Sequence, residues 1–185
     1  MIRWLHIYLS MFGLAATLFF SLTGITLNHP SWAFPGAERQ RRAEGQIDRK
    51  WLGGEVARLE VVEHLRAAQR VRGALAEFRV DETEAVVTFK GPGYEADAFI
   101  DRESGRYDLT VVEHGAIAWA NDLHKGRDTG RAWSLAIDLA AGLLTLISAT
   151  GLALLFYLKL RRRPGLALAL VGLIATAAVA VFGVP

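Results

Sequence analysis

Histidines are the residues of this 185-residue chain with the most chemistry to offer, and there are five: His6, His29, His64, His114 and His124. Imidazole is both a common metal ligand and the side chain that gains or loses a proton near neutral pH. Cysteine is absent, which removes disulfides, thiol nucleophiles, iron–sulfur clusters and covalent c-type haem attachment. No Ser-His-Asp order, HExxH motif, phosphate loop or catalytic carboxylate pair occurs, so a hydrolase has no support and no residue is assigned as acid, base or nucleophile. His64 falls in a charged helical stretch and reads as a solvated or partly packed side chain.

The elements that must position the other four histidines are membrane helices. Three stretches, residues 4–27, 139–158 and 164–185, are free of charge. A hydrocarbon core about 30 Å thick takes roughly 20 residues at helical rise, and only helices satisfy their own backbone there. The first stretch exceeds the roughly 7 to 15 apolar residues of a secretion signal and reads as an uncleaved anchor. Lys159, Arg161, Arg162 and Arg163 lie in the short turn between the last two spans, and short basic loops stay cytoplasmic. A bacterial inner membrane location follows as the expectation, with a cytoplasmic amino terminus and with the middle segment and carboxyl terminus periplasmic.

The charged residues concentrate in that middle segment. Asn28-His29-Pro30-Ser31-Trp32 and Phe34-Pro35-Gly36 read as a rigid turn with aromatics at headgroup level. Residues 38–50 are polar and read as a linker. Residues 55–71 have helical spacing, with Val56, Leu59 and Val62 on an apolar face. After Gly73 the period becomes two, through Phe78 and Val80, Val87 and Phe89, the run 94–100 and the run 107–112, with turns at Gly91-Pro92-Gly93 and Glu103-Ser104-Gly105. One helix on an antiparallel sheet of about four strands is expected. The fold class is thus an α-helical membrane protein with three transmembrane helices and a small α+β domain inserted between the first two. Its segments are residues 1–28, transmembrane helix 1; 29–54, turn and linker; 55–113, the α+β domain; 114–131, an interfacial segment; 132–159, helix 2; and 164–185, helix 3. The net charge of +2 is explained by topology, and nucleic acid is not expected as a partner.

On this plan His6 opens helix 1 and His29 closes it, roughly 35 Å away at helical rise, so the two cannot share a ligand. His124 precedes helix 2 at the same boundary as His29, and His114 lies about three helical turns before it. Two imidazoles on neighbouring helices at one depth suit a b-type haem, whose iron takes one nitrogen on each side of the ring. His29 and His124 are the expected iron ligands, with Lys125, Arg127 and Arg131 available to balance the propionates. Histidines at membrane boundaries also occur without any cofactor, and spacing alone leaves that alternative open.

Four motifs carry a family resemblance. Arg3-Trp4-Leu5-His6 opens the first span and Leu22-Thr23-Gly24 closes it. Asp122-Leu123-His124-Lys125-Gly126-Arg127-Asp128-Thr129-Gly130 precedes the second, and Ala149-Thr150-Gly151-Leu152 lies inside it. Together they resemble the PepSY-associated transmembrane helix family over most of the chain. That resemblance implies a PepSY-type domain between the first two spans and places His6, His29 and His124 at the matching histidines, with His114 added from its position. The family includes inner-membrane haem proteins that pass electrons to ferric siderophores, as well as members with no established activity.

The expectation drawn from both lines is an inner-membrane b-type haem electron-transfer subunit, the haem-dependent component of a reductase, that serves a periplasmic acceptor such as ferric iron or a ferric chelate. His6 has no second ligand within the chain, so either the outer haem is the only one, or His6 pairs across a homo-oligomer or with a partner membrane subunit in the bilayer. The alternative is a haem-free accessory or assembly subunit whose PepSY-like domain binds a periplasmic partner, with the third helix as its docking surface.

Overall fold

The computed structural model describes residues 1–32 and 38–185, so the expected turn at Phe34-Pro35-Gly36 lies outside the described residues. By its contacts the chain forms two units, Met1–Leu18 with Asp138–Pro185, and Phe19–Ile137.

In the second unit the period-two segments form a five-stranded antiparallel sheet of order β1-β5-β4-β3-β2. Its strands are β1 (Arg39–Gln46), β2 (Ala74–Val80), β3 (Glu84–Gly91), β4 (Tyr94–Asp101) and β5 (Arg106–Glu113). The helical spacing of residues 55–71 becomes α3 (Arg58–Gln69). Val61, Val62 and Leu65 of this helix join Val87, Phe89, Ala98, Ile100 and Leu109 of the sheet in one buried core. Burying a side chain of this size stabilises by about 1.5–3 kcal/mol, so these residues hold the helix on its sheet. Leu59 was expected on the apolar face but is 68% exposed, because the buried stripe runs through residues 61, 62 and 65 instead.

The polar stretch read as a linker is strand β1. It pairs with β5 over its whole length, from Arg39 opposite Glu113 to Gln46 opposite Arg106. An edge strand is held by its ladder hydrogen bonds, so RQRRAEGQ needs little apolar alternation to pair. Charge along an exposed edge also discourages pairing with a second chain. Ile47, the next residue, is fully buried and ties β1 to the core.

Helix α4 (Ala116–Lys125) follows β5 and ends at Gly126, whose φ of 68° is the left-handed closure that glycine favours. Asp122 Oδ2 accepts from the Gly93 N–H of the β3–β4 turn at 2.9 Å, which fixes α4 to the sheet.

Among the described residues two helices are long and apolar enough to cross a membrane: α5 (Gly130–Tyr157), with mean hydropathy 2.1, and α6 (Arg162–Phe182), with 2.5. Neither has a buried residue, as expected for surfaces that face lipid. The first expected span is divided into α1 (Ile2–Phe12) and α2 (Leu14–Asn28), bent by 54° at Gly13. Gly13 has ψ near −2°, well off the helical value, and a Cβ there would meet Ile147 Cδ1 at 2.6 Å. The bend therefore falls where the chain packs tightly against Ile147 and Leu143 of α5.

Candidate functional site

Each of two histidines is held by a threonine-glycine step on another helix. In the Phe19–Ile137 unit, His124 near the end of α4 places Nδ1 at 2.7 Å from Oγ1 of Thr23 on α2. Thr23 is 7% exposed, so this polar contact is shielded from water. Phe20 meets the His124 ring edge-on, with centroids 5.1 Å apart. Gly24 lies beneath the ring, where a Cβ would stand 3.7 Å from Cε1. One turn away Thr26 donates to Asn121 Oδ1 at 2.6 Å, and Trp133 Nε1 donates to the Leu123 carbonyl at 2.8 Å. The first bond fastens α4 to α2 beside the histidine, and the second fastens α4 to the start of α5.

The other unit repeats the arrangement. His6 of α1 places Nδ1 at 3.0 Å from Oγ1 of Thr150 on α5. Gly151 follows, and a Cβ there would lie 3.1 Å from His6 Cε1. Gly13, two turns along α1, lies against Leu143 and Ile147 of α5, so the two helices run antiparallel at close approach.

The threonines assign the tautomer of both rings. Thr23 gives its hydroxyl hydrogen to the Phe19 carbonyl at 2.5 Å, and Thr150 gives its own to the Leu146 carbonyl at 2.8 Å. With that hydrogen engaged, each Oγ1 can face its imidazole only as an acceptor, and the hydrogen-bond network thereby assigns the proton to Nδ1. Nε2 is left with its lone pair. An imidazole fixed by a hydrogen bond at one nitrogen and basic at the other is the usual condition of a histidine that ligates a metal.

The remaining expected site residues are placed differently. His29 follows α2 and stacks on Trp32, with centroids 4.2 Å apart and planes 12° apart, so the rings of His29 and His124 take separate partners. His114 is exposed at the end of β5, with Nδ1 3.6 Å from Glu38 Oε2. Lys125, Arg127 and Arg131 are exposed and form no ion pair among the described residues. His64 packs edge-on against Trp51 and Tyr107 at the margin of the core. No group of three or more histidines and carboxylates that could hold a metal ion occurs among the described residues.

Thr23, Gly24, Thr150 and Gly151 were visible in the sequence only as short motifs without a role. The signal that could have found them is a doubled pattern: Leu-His occurs at 5–6 and 123–124, and Thr-Gly inside apolar helix at 23–24 and 150–151. Each Leu-His step has one Thr-Gly step as its partner.

A membrane-helix protein that carries an α+β domain is the class that these features define. The PepSY_TM-like family model matches residues 1–185, and the chain belongs to that family. No curated protein and no solved structure matches it.

Proposed function

We propose that this PepSY-type membrane protein is a b-type haem electron-transfer subunit of the bacterial inner membrane, with His124 and His6 as iron ligands. The observation that carries the proposal is the pair of threonine-held imidazoles, each engaged through Nδ1. The donor set fits haem: a neutral nitrogen ligand, fixed in tautomer and orientation, on an apolar helix. When bound, haem supplies the one-electron chemistry, and no side chain need act as acid or base.

The chain's own residues set the conditions. Thr23 and Thr150 keep Nδ1–H engaged, which orients each ring and raises the basicity of Nε2. Phe20 adds apolar surface beside His124. His29, placed by its stack on Trp32, is the candidate second ligand at the His124 end. His6 takes its second ligand from a second copy or a partner subunit. Lys125, Arg127 and Arg131 are free to meet propionates. The basic turn at residues 159–163 supports a cytoplasmic amino terminus and a periplasmic sheet domain, with a ferric chelate as the acceptor.

A second reading is favoured by α6, which is apolar from Pro164 to Phe182 and has no buried residue. Under it the chain is a haem-free accessory subunit that docks through this helix and binds a periplasmic partner with its sheet domain. A redox difference spectrum of the purified full chain, with haem quantified per chain, separates the two. A Soret band that shifts on dithionite and is lost in His124→Ala supports electron transfer. Colourless protein from haem-replete cells leaves only the accessory subunit.

A further inference from the structure

Four arginines converge at one end of the sheet domain, beside the end of β5 where His114 follows Glu113. Arg39 and Arg41 are two residues apart on β1 and therefore share a face. Arg39 pairs in register with Glu113, and Arg41 with the buried Val111. Arg70 closes α3 and Arg72 follows it. With Gln40, Tyr94, Val111 and Glu113 these arginines line a cavity of about 250 Å³. Four guanidinium groups there meet one carboxylate.

Two of the four are held in place by the protein. Arg41 donates to the Gln69 carbonyl at 2.8 Å, and Arg72 pairs with Glu113 while lying over the Tyr94 ring at 5.2 Å. The other two, Arg39 and Arg70, form no ion pair among the described residues. Arg70 also has φ 54° and ψ 40°, the left-handed conformation at a helix end where glycine is ordinary. Holding an arginine in that conformation is unfavourable for the backbone, and such positions cluster where a side chain is needed for binding. From this end of the sheet, β5 leads through α4 towards α5.

We propose that this cavity binds a phosphate group, carried either by the headgroup of an anionic lipid or by a soluble phosphate compound. Guanidinium forks match phosphate oxygens in pairs, and the volume suits one phosphate with a small substituent better than a drug-sized ligand, whose pockets start at about 300 Å³. Arg39 and Arg70 supply the uncommitted donors, and Arg41 and Arg72 the fixed positive field. The site is independent of whether the chain holds haem.

The test uses the full chain in neutral detergent. One arm titrates inorganic phosphate against chloride at matched ionic strength. The other mixes phosphatidylglycerol or phosphatidylcholine into the micelles, and both read binding and the thermal midpoint. Expected is saturable binding of phosphate, of phosphatidylglycerol or of both, which identifies the source. Affinity should fall about tenfold or more in Arg39→Gln and in Arg70→Gly, each of which removes a charge-assisted donor. Arg70→Gly also relieves the left-handed backbone, so its midpoint in chloride should match or exceed that of the parent. Failure of both probes to bind, or binding that survives both substitutions, overturns the site.

Discussion

His124 Nδ1 stands 2.7 Å from Thr23 Oγ1, while the same hydroxyl donates to Phe19. Thr23→Val removes the acceptor and leaves the imidazole N–H unsatisfied in a shielded place, which costs about 1–3 kcal/mol. Loss of such an outer partner typically weakens a metal site about 10–100-fold. Haem titration of the purified variant should show that drop, and Thr23→Ser, which keeps the hydroxyl, should restore most of the affinity.

The two glycines beneath the rings are not equivalent. A Cβ at position 151 would stand 3.1 Å from the His6 ring, whereas at position 24 the corresponding distance to His124 is 3.7 Å, an ordinary contact. Gly151→Ala should displace His6 and lower the thermal midpoint, and Gly24→Ala should be close to neutral or stabilising, since alanine favours helix. Equal effects in parallel melts would show that the approach at Gly151 is not tight.

Ile47 lies immediately after a mostly polar strand, yet it is fully buried in one core with Val61, Leu65 and Leu109. Ile47→Ala should destabilise the sheet domain by about 2–5 kcal/mol, as other large-to-small core substitutions do. In a linker the same change would be nearly silent. Hydrogen exchange along residues 39–46 should rise in the variant, because β1 loses its anchor.

Strands β2 to β5 and helix α3 were legible because they bury one face, and burial writes period two or 3.6 into the residue types. Strand β1 was not, since its Arg-Gln-Arg-Arg run is held by backbone pairing to β5, which leaves no mark on side-chain pattern. The bend at Gly13 was hidden for another reason: it depends on how near α5 comes, and one glycine in an apolar run does not state that. At the site, sequence singled out His124 and His6 for their imidazoles but gave no sign that Thr23 and Thr150 face them. A hydroxyl inside an apolar helix reads as filler until a partner faces it.

Asp101 sets an acid limit on the β4–β5 turn. The Ser104 hydroxyl and N–H both donate to its Oδ1 at 2.6 Å, which holds its pKa below the ordinary aspartate value. A depressed folded value means that this stabilisation is present above the unfolded pKa of about 3.9 and is lost as pH falls through the folded one. Chemical denaturation should therefore show domain stability falling below about pH 4, with a shallower slope in Asp101→Asn.

The most direct observation is the proton position on His6 and His124. Long-range ¹⁵N–¹H correlation spectra of the haem-free full chain in detergent, at about pH 8 so that ordinary imidazoles are neutral, report it for each ring. Both should carry hydrogen on Nδ1 and leave Nε2 bare, and Thr23→Val and Thr150→Val should each release their own histidine to a mixture of tautomers. Hydrogen on Nε2 of either ring in the unsubstituted chain would mean that the threonines do not present that nitrogen for ligation, and the haem-ligand role of that histidine would fall with it.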